Sequence, residues 1–188
     1  MDSEASSRQR IIETTARLLW SQGLRATGVQ QIADESRAPR GSIYFHFPEG
    51  KEQLAAEALR SAGAVMTANI TEALSHRNVK TAVRKFVDAY AIEMEASSFH
   101  HGCPIATVAL EAAATSPVIR DVCARVFAEW EDLLAARLER DGKGKRESRK
   151  MAVVILSALE GAMILCRARR TTDPLKHVAE HLTAALEA

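Results

Sequence analysis

Between Thr27 and Leu54 the chain reads TGVQQIADESRAPRGSIYFHFPEGKEQL, and this stretch holds most of the residues whose types and spacing could do chemistry. Arg40, Gly41 and Ser42 stand together, with Tyr44 and His46 just beyond them. An arginine fork can donate to guanine N7 and O6 in a major groove, and a serine hydroxyl serves either a base edge or a phosphate. A glycine between them lets the backbone approach a duplex closely. Tyr44 and His46 suit phosphate oxygens, and Lys51 adds a cation near a nucleic-acid backbone. Thr27, at the start of a helix, can serve a phosphate together with the neighbouring amides. Arg37 and Pro39 complete the set expected to face outward.

Other chemistries find less support. His100, His101 and Cys103 could ligate a metal or form a Cys/His catalytic pair. His177 and His181 stand four residues apart, on one face of a helix. Neither group has the further ligands of a strong zinc signature, nor the glutamate of a HExxH motif. No glycine-rich loop is built to cradle phosphate. A polar loop before Pro104 accounts for the first group and an exposed helix face for the second. The expectation is therefore no metal, no cofactor and no catalytic centre.

The elements that must position these residues are helical almost throughout. Residues 8–22 place Ile12, Ala16, Leu19 and Trp20 on one face, and Gly23 follows as a stop. Thr27 with Gln30 reads as a capping box for a helix over about 28–36. Pro39 opens a short helix, Arg40 to Phe47, which Pro48 closes. A helix of two turns is marginal on its own in water, so packing must hold this one and its exposed face is its purpose. Longer helices follow over about 50–75 and 79–96, and others start at Pro104 and at Ser116-Pro117. The last of these runs to the Asp141-Gly142 turn; a helix over about 145–170 comes next, and Asp173-Pro174 caps the final one. The fold class is all-α, about nine helices. Residues 1–47 form a three-helix helix-turn-helix unit, with Ile12, Leu19, Ile32, Ala33, Ile43 and Phe47 as its core; residues 48–188 form a larger helical bundle.

Composition bounds the rest. At 188 residues with 47% hydrophobic residues there is ample material for a core. A formal charge of +1 gives no global attraction for nucleic acid, so any such patch is local. Three widely spaced cysteines fit buried thiols in a reducing compartment. The polar start MDSEASSRQR does not read as a signal peptide, and no uncharged apolar stretch approaches the length of a bilayer. These features point to a cytoplasmic protein with no membrane partner.

The run IADESRAPRGSIYFHF followed by Lys51 resembles the DNA-binding domain of the TetR family of transcriptional regulators. GSIYFHFPEGKEQL and GCPIATVALEAA (102–113) are similar to its LmrA/YxaF-like subgroup. The resemblance extends over essentially the whole chain. It implies a homodimer whose N-terminal domains bind a palindromic operator, a C-terminal domain that holds a small-molecule effector, and repression of drug-efflux and related genes. One position departs from the pattern: the turn residue usually filled by Gly is Arg37. A left-handed conformation costs a non-glycine residue about 1 kcal/mol.

The C-terminal part fits that implication. Residues 151–166, MAVVILSALEGAMILC, are apolar nearly all round and need cover on more than one side. The final helix carries a stripe of Leu175, Val178, Ala179, Leu182 and Leu186 that suits packing beside that helix, and the two helices together are expected to form a four-helix dimer interface. An effector pocket inside the bundle would draw on Met66, Tyr90, Met94, Phe99, Cys103, Phe127, Trp130, Met163 and Cys166, since methionine and aromatics repack around apolar ligands. Glu160 is placed for either a ligand cation or a bond across the dimer seam. The rival reading is a small-molecule-binding or enzymatic helical bundle that never touches DNA.

Overall fold

The computed structural model describes residues 2–186, with side chains from Ser7 onward. Its helices are α1 (Asp2–Ala26), α2 (Val29–Ser36), α3 (Arg40–His46), α4 (Lys51–Leu74), α5 (Val79–Ala96), α6 (Pro104–Ala112), α7 (Pro117–Arg140), α8 (Lys145–Arg169) and α9 (Asp173–Ala185). Among the described residues there is no strand. Local signals set most ends. Gly23 breaks α1 with φ +79°, where the chain leaves helical geometry. Asn78 caps α5 by accepting from the Thr81 amide at 2.9 Å, and Ser116 caps α7 by accepting from Ile119 at 3.1 Å. Pro104 and Pro174 sit in the first turns of α6 and α9, where a missing N–H costs nothing.

Two caps differ from the sequence expectation. The Thr27 hydroxyl donates backward to the Gly23 carbonyl at 2.6 Å, so α2 starts from Gly28 with no side-chain cap and no capping box forms. The residue before α9 is Thr172, also without a side-chain cap, and its hydroxyl donates to Glu95 at 3.0 Å.

The chain divides into two compact units, residues 1–64 with 103–126, and residues 65–102 with 127–188. The first holds α1–α3, the start of α4, α6 and the start of α7. Ile11, Ile12, Leu18, Ile32, Ala33, Ala38, Ile43, Phe47 and Leu54 form one buried cluster in it. Every core residue expected from sequence there is buried, Leu19 included. Burial of the Ile43 and Phe47 side chains contributes roughly 1.5–3 kcal/mol each, and this anchors a helix too short to persist alone. Arg8 closes the cluster from above, its guanidinium 5.3 Å from the Phe47 ring centroid and paired with Glu57.

In the second unit α9 packs against α5 and α8, burying Leu175, Ala179 and Leu182 within the same chain. Trp130 is buried with its indole N–H on Thr67 Oγ1 at 3.0 Å and its ring edge-on to Phe127. Arg137 is buried with its charge satisfied: it donates to the Leu74 and Arg77 carbonyls at 2.8 and 2.5 Å and pairs with Asp141 at 3.0 Å. Helix α8 leaves Val153, Val154, Ile164 and Leu165 exposed. Its 25 residues are long and apolar enough to cross a membrane by length and composition alone, with mean hydropathy 1.8 over 18 residues. No stretch of that length in it is uncharged, as the sequence expectation held, because Glu160 interrupts the apolar run of 151–166.

Candidate nucleic-acid interface

The turn between α2 and α3 is where the departure at Arg37 is decided. Arg37 takes φ 52°, ψ 37°, the left-handed conformation, and its N–H bonds back to Ala33 and Asp34. The turn therefore keeps the geometry that glycine usually supplies, with an exposed guanidinium added at its outer edge. Ala38, 4% exposed, tucks into the core directly after it. Pro39 and Arg40 then emerge on the surface, and the Pro39 carbonyl accepts from the Ser42 amide at 2.8 Å to start α3.

Helix α3 buries Ile43, with Phe47 following at its C-cap. Arg40, Gly41, Tyr44 and Phe45 are exposed, while Ser42 and His46 are half-buried at the flanks. The Arg40 guanidinium lies 5.9 Å from the Tyr44 ring centroid, one turn along, which restrains both side chains on the same outward edge. Exposed Arg37 and Arg40 give this edge its positive charge. The acids of α2 are occupied locally: Glu35 accepts from Arg17 at 2.5 Å and Gln31 at 2.8 Å, bonds that hold its carboxyl below the usual carboxylate range. Asp34 accepts from Gln30.

Thr27 and Lys51 occupy different surroundings from the rest of the set. Thr27 is fully buried with its hydroxyl on Gly23. Lys51 is half-buried and its ammonium donates to the Leu24 carbonyl at 2.7 Å. Both hold the turn 23–27, which Gln22 also ties by donating to the Ala26 carbonyl and to Gln31 at the side of α2. The principal clamp comes from far along the chain. Glu111, on α6, accepts from the Leu24 and Arg25 amides at 2.6 and 3.0 Å, and Arg25 donates back to the Glu111 carbonyl at 3.3 Å. A Cβ at Gly23 would run into that carboxylate, so a side chain there would push the clamp aside as well as strain the positive φ. Glu111 was not found by sequence reasoning, and neither was Phe45, at 71% the most exposed aromatic of the α3 cluster.

The residues expected to line an effector pocket are mostly interior. Met66, Tyr90, Met94, Trp130, Met163 and Cys166 are buried in the second unit, and Phe99, Phe127 and Glu160 are half-buried there. Cys103 belongs to the first unit, where its sulfur accepts from the Ala106 amide at the start of α6. Phe99 and its neighbour Ser98 both have positive φ, 60° and 51°, and the Phe99 amide donates to Met94 at 2.6 Å. His101 has its Nδ1 2.7 Å from a Glu93 carboxylate oxygen.

A short, charged, outward-facing helix fixed behind a tight turn defines a helix-turn-helix DNA-binding regulator. Residues 11–58 match the profile of bacterial regulatory proteins of the tetR family, and residues 80–181 match that of the LmrA/YxaF-like transcriptional regulator C-terminal domain. The chain is 34% identical over 183 residues to the HTH-type transcriptional regulator YxaF of Bacillus subtilis, covering 97% of this chain and 96% of that one. It is 37% identical over 181 residues to the HTH-type regulator Rv0196 of Mycobacterium tuberculosis, covering 93% and 91%. A TetR transcriptional regulator from Chloroflexus aurantiacus superposes with a TM-score of 0.84 at 26% identity, over 100% of this chain and 97% of that one. The chain belongs to the TetR family of transcriptional regulators, in its LmrA/YxaF-like branch.

Proposed function

We propose that the protein is a cytoplasmic repressor that binds a palindromic operator as a homodimer and is released by a small apolar or amphipathic effector. The observation that carries this reading is the outward edge of α3, where Arg40, Gly41 and Tyr44 stand free of the core with Arg37 at the turn beside them. Arg40 reads guanine; Ser42, Tyr44 and His46 take phosphates or base edges. The uncapped N-terminus of α2 at Gly28 offers amides to a further phosphate beside Thr27. Lys51 retains two ammonium protons beyond the one given to Leu24, enough for a phosphate as well.

Twofold pairing follows from α8. Val153, Val154, Gly161, Ile164 and Leu165 form one exposed stripe along it, and a Cβ at Gly161 would meet nothing within 4 Å in its own chain. A second copy of the same stripe is the simplest cover. The effector would sit among Met66, Tyr90, Met94, Phe99, Phe127, Trp130, Glu160, Met163 and Cys166, all within the second unit. Its binding shifts the population toward a pair of α3 helices no longer spaced by about one DNA turn (~34 Å).

The test is to recover DNA from a randomised pool, measure affinity against salt, and screen compounds for release. A palindromic consensus, affinity falling steeply with salt, and at least one releasing compound are the expected results. Failure to enrich any consensus would sink the reading.

A further inference from the structure

Phe45 is the one large aromatic on α3 that chemistry leaves unexplained: it is 71% exposed and cannot donate to or accept from a phosphate. Its direction is informative. At about 100° per residue, Ile43 and Phe47 bracket the buried side of α3, and Phe45 lies about 180° from their mean direction. It is therefore the side chain that points most directly away from the core. Gly41 precedes it by one turn on the same face, and a Cβ there would meet nothing within 4 Å. His46 meets the Phe45 ring edge-on, with centroids 5.2 Å apart. The outward axis of α3 is thus an apolar step, with a glycine floor and an aromatic wall, between the polar groups of Arg40 and Ser42.

We infer that Phe45 with Gly41 is a specificity element that reads the 5-methyl group of a thymine in each operator half-site. The inference rests on the DNA-binding reading above and adds a base to it. A major-groove edge presents hydrogen-bonding groups at every base pair, and thymine alone of the four bases also presents a methyl group. A phenyl ring against the polar edge of guanine, cytosine or adenine would strip water from donors or acceptors and return nothing. Against a thymine methyl it buries apolar surface on both sides. Gly41 leaves the room for that methyl beside the helix backbone.

The experiment uses the full-length protein and its selected operator, with each thymine replaced in turn by deoxyuridine, which deletes only the methyl group. The wild-type protein loses about fourfold in affinity at one thymine per half-site, and about fifteenfold when both symmetric positions are changed. Phe45→Ala, whose circular dichroism and melting temperature match the wild type because the ring is exposed, binds the thymine operator more weakly and responds less than twofold to uracil. Gly41→Val, which fills the floor, loses the same response. Equal uracil sensitivity in wild type and Phe45→Ala, or no sensitivity at any thymine in the wild type, overturns the assignment while leaving operator binding intact. Absence of a sequence-specific complex with any duplex removes the DNA-binding reading itself, and the methyl contact with it.

Discussion

Two exposed faces of this molecule, on α3 and on α8, carry apolar side chains that a folded chain would ordinarily hide, and they differ in what surrounds those side chains. On α3 the exposed Tyr44 and Phe45 are interleaved with Arg40, the small Gly41 and the neighbouring Arg37 within nine residues. On α8 the stripe of Val153, Val154, Gly161, Ile164 and Leu165 runs for three turns, with no cation between Met151 and Cys166. Cations among aromatics fit a polyanion with apolar features, which is a description of a DNA groove. An uninterrupted aliphatic strip fits another aliphatic strip. Exposed apolar surface is thus ambiguous until the charges within a turn of it are counted.

The sharpest way to break this comparison is to charge the aliphatic strip. Ile164→Glu, at a position 51% exposed in the single chain, leaves the monomer folded by circular dichroism but halves the mass in light scattering. Operator affinity then falls more than 100-fold because the two half-sites bind independently. A variant that keeps its mass shows that α8 pairs with nothing. Next in size is Arg40→Ala, expected to lose 10- to 100-fold at its guanine, about 1–3 kcal/mol, while phosphate contacts persist. Binding selection on a randomised pool checks it, and an unchanged consensus refutes the assignment.

Glu111→Ala probes the scaffold behind α3. It leaves the Leu24 and Arg25 amides unclamped and is expected to cost about 1.5–3 kcal/mol, read as a lower melting temperature. Arg37→Gly is smaller: relief of left-handed strain, about 1 kcal/mol, is partly offset by the entropy glycine adds to the unfolded chain. Stability rises slightly or stays level, and the salt slope of operator binding falls by about one if Arg37 touches a phosphate. Last, burial pushes the Cys123 thiol up to about 11 from 9.0. Because its folded pKa lies above the unfolded one, the unfolded chain releases the proton first, and stability declines as pH rises from about 9 to about 11. Chemical denaturation across that range, compared with Cys123→Ala, isolates the effect.

Local sequence exposed what local physics decides. Gly23, Pro39, Pro48 and Ser116 sit at helix ends because φ, ring closure or a capping oxygen acts within a few residues. Ile43 and Phe47 were legible as core by their spacing of four. Phe45 was not, since four consecutive aromatics cover about one full turn and leave the choice of face to the packing of α1 and α2. The Thr27 hydroxyl had two partners in reach, and competition with the Gly23 carbonyl cannot be judged from T-x-x-Q alone. Glu111 lies 86 residues from Arg25, and no spacing rule reaches that far. The stripe on α9 was visible, and Leu175, Ala179 and Leu182 are buried where α9 packs beside α8, as expected; the further packing of α9 against α5 is a partner that a helical wheel does not name.

The contribution of residues 103–126 to the first unit has a consequence for synthesis. A ribosome that has made α1 to α3 has not yet delivered Glu111, so the turn ahead of α2 waits with its amides unclamped. The missing partner arrives after roughly 60 more residues, on the order of 3–12 s at ordinary elongation rates. During that interval the nascent head depends on its own small apolar cluster and on whatever shields it, and a transcript cut short before residue 111 yields a reader that never receives its clasp.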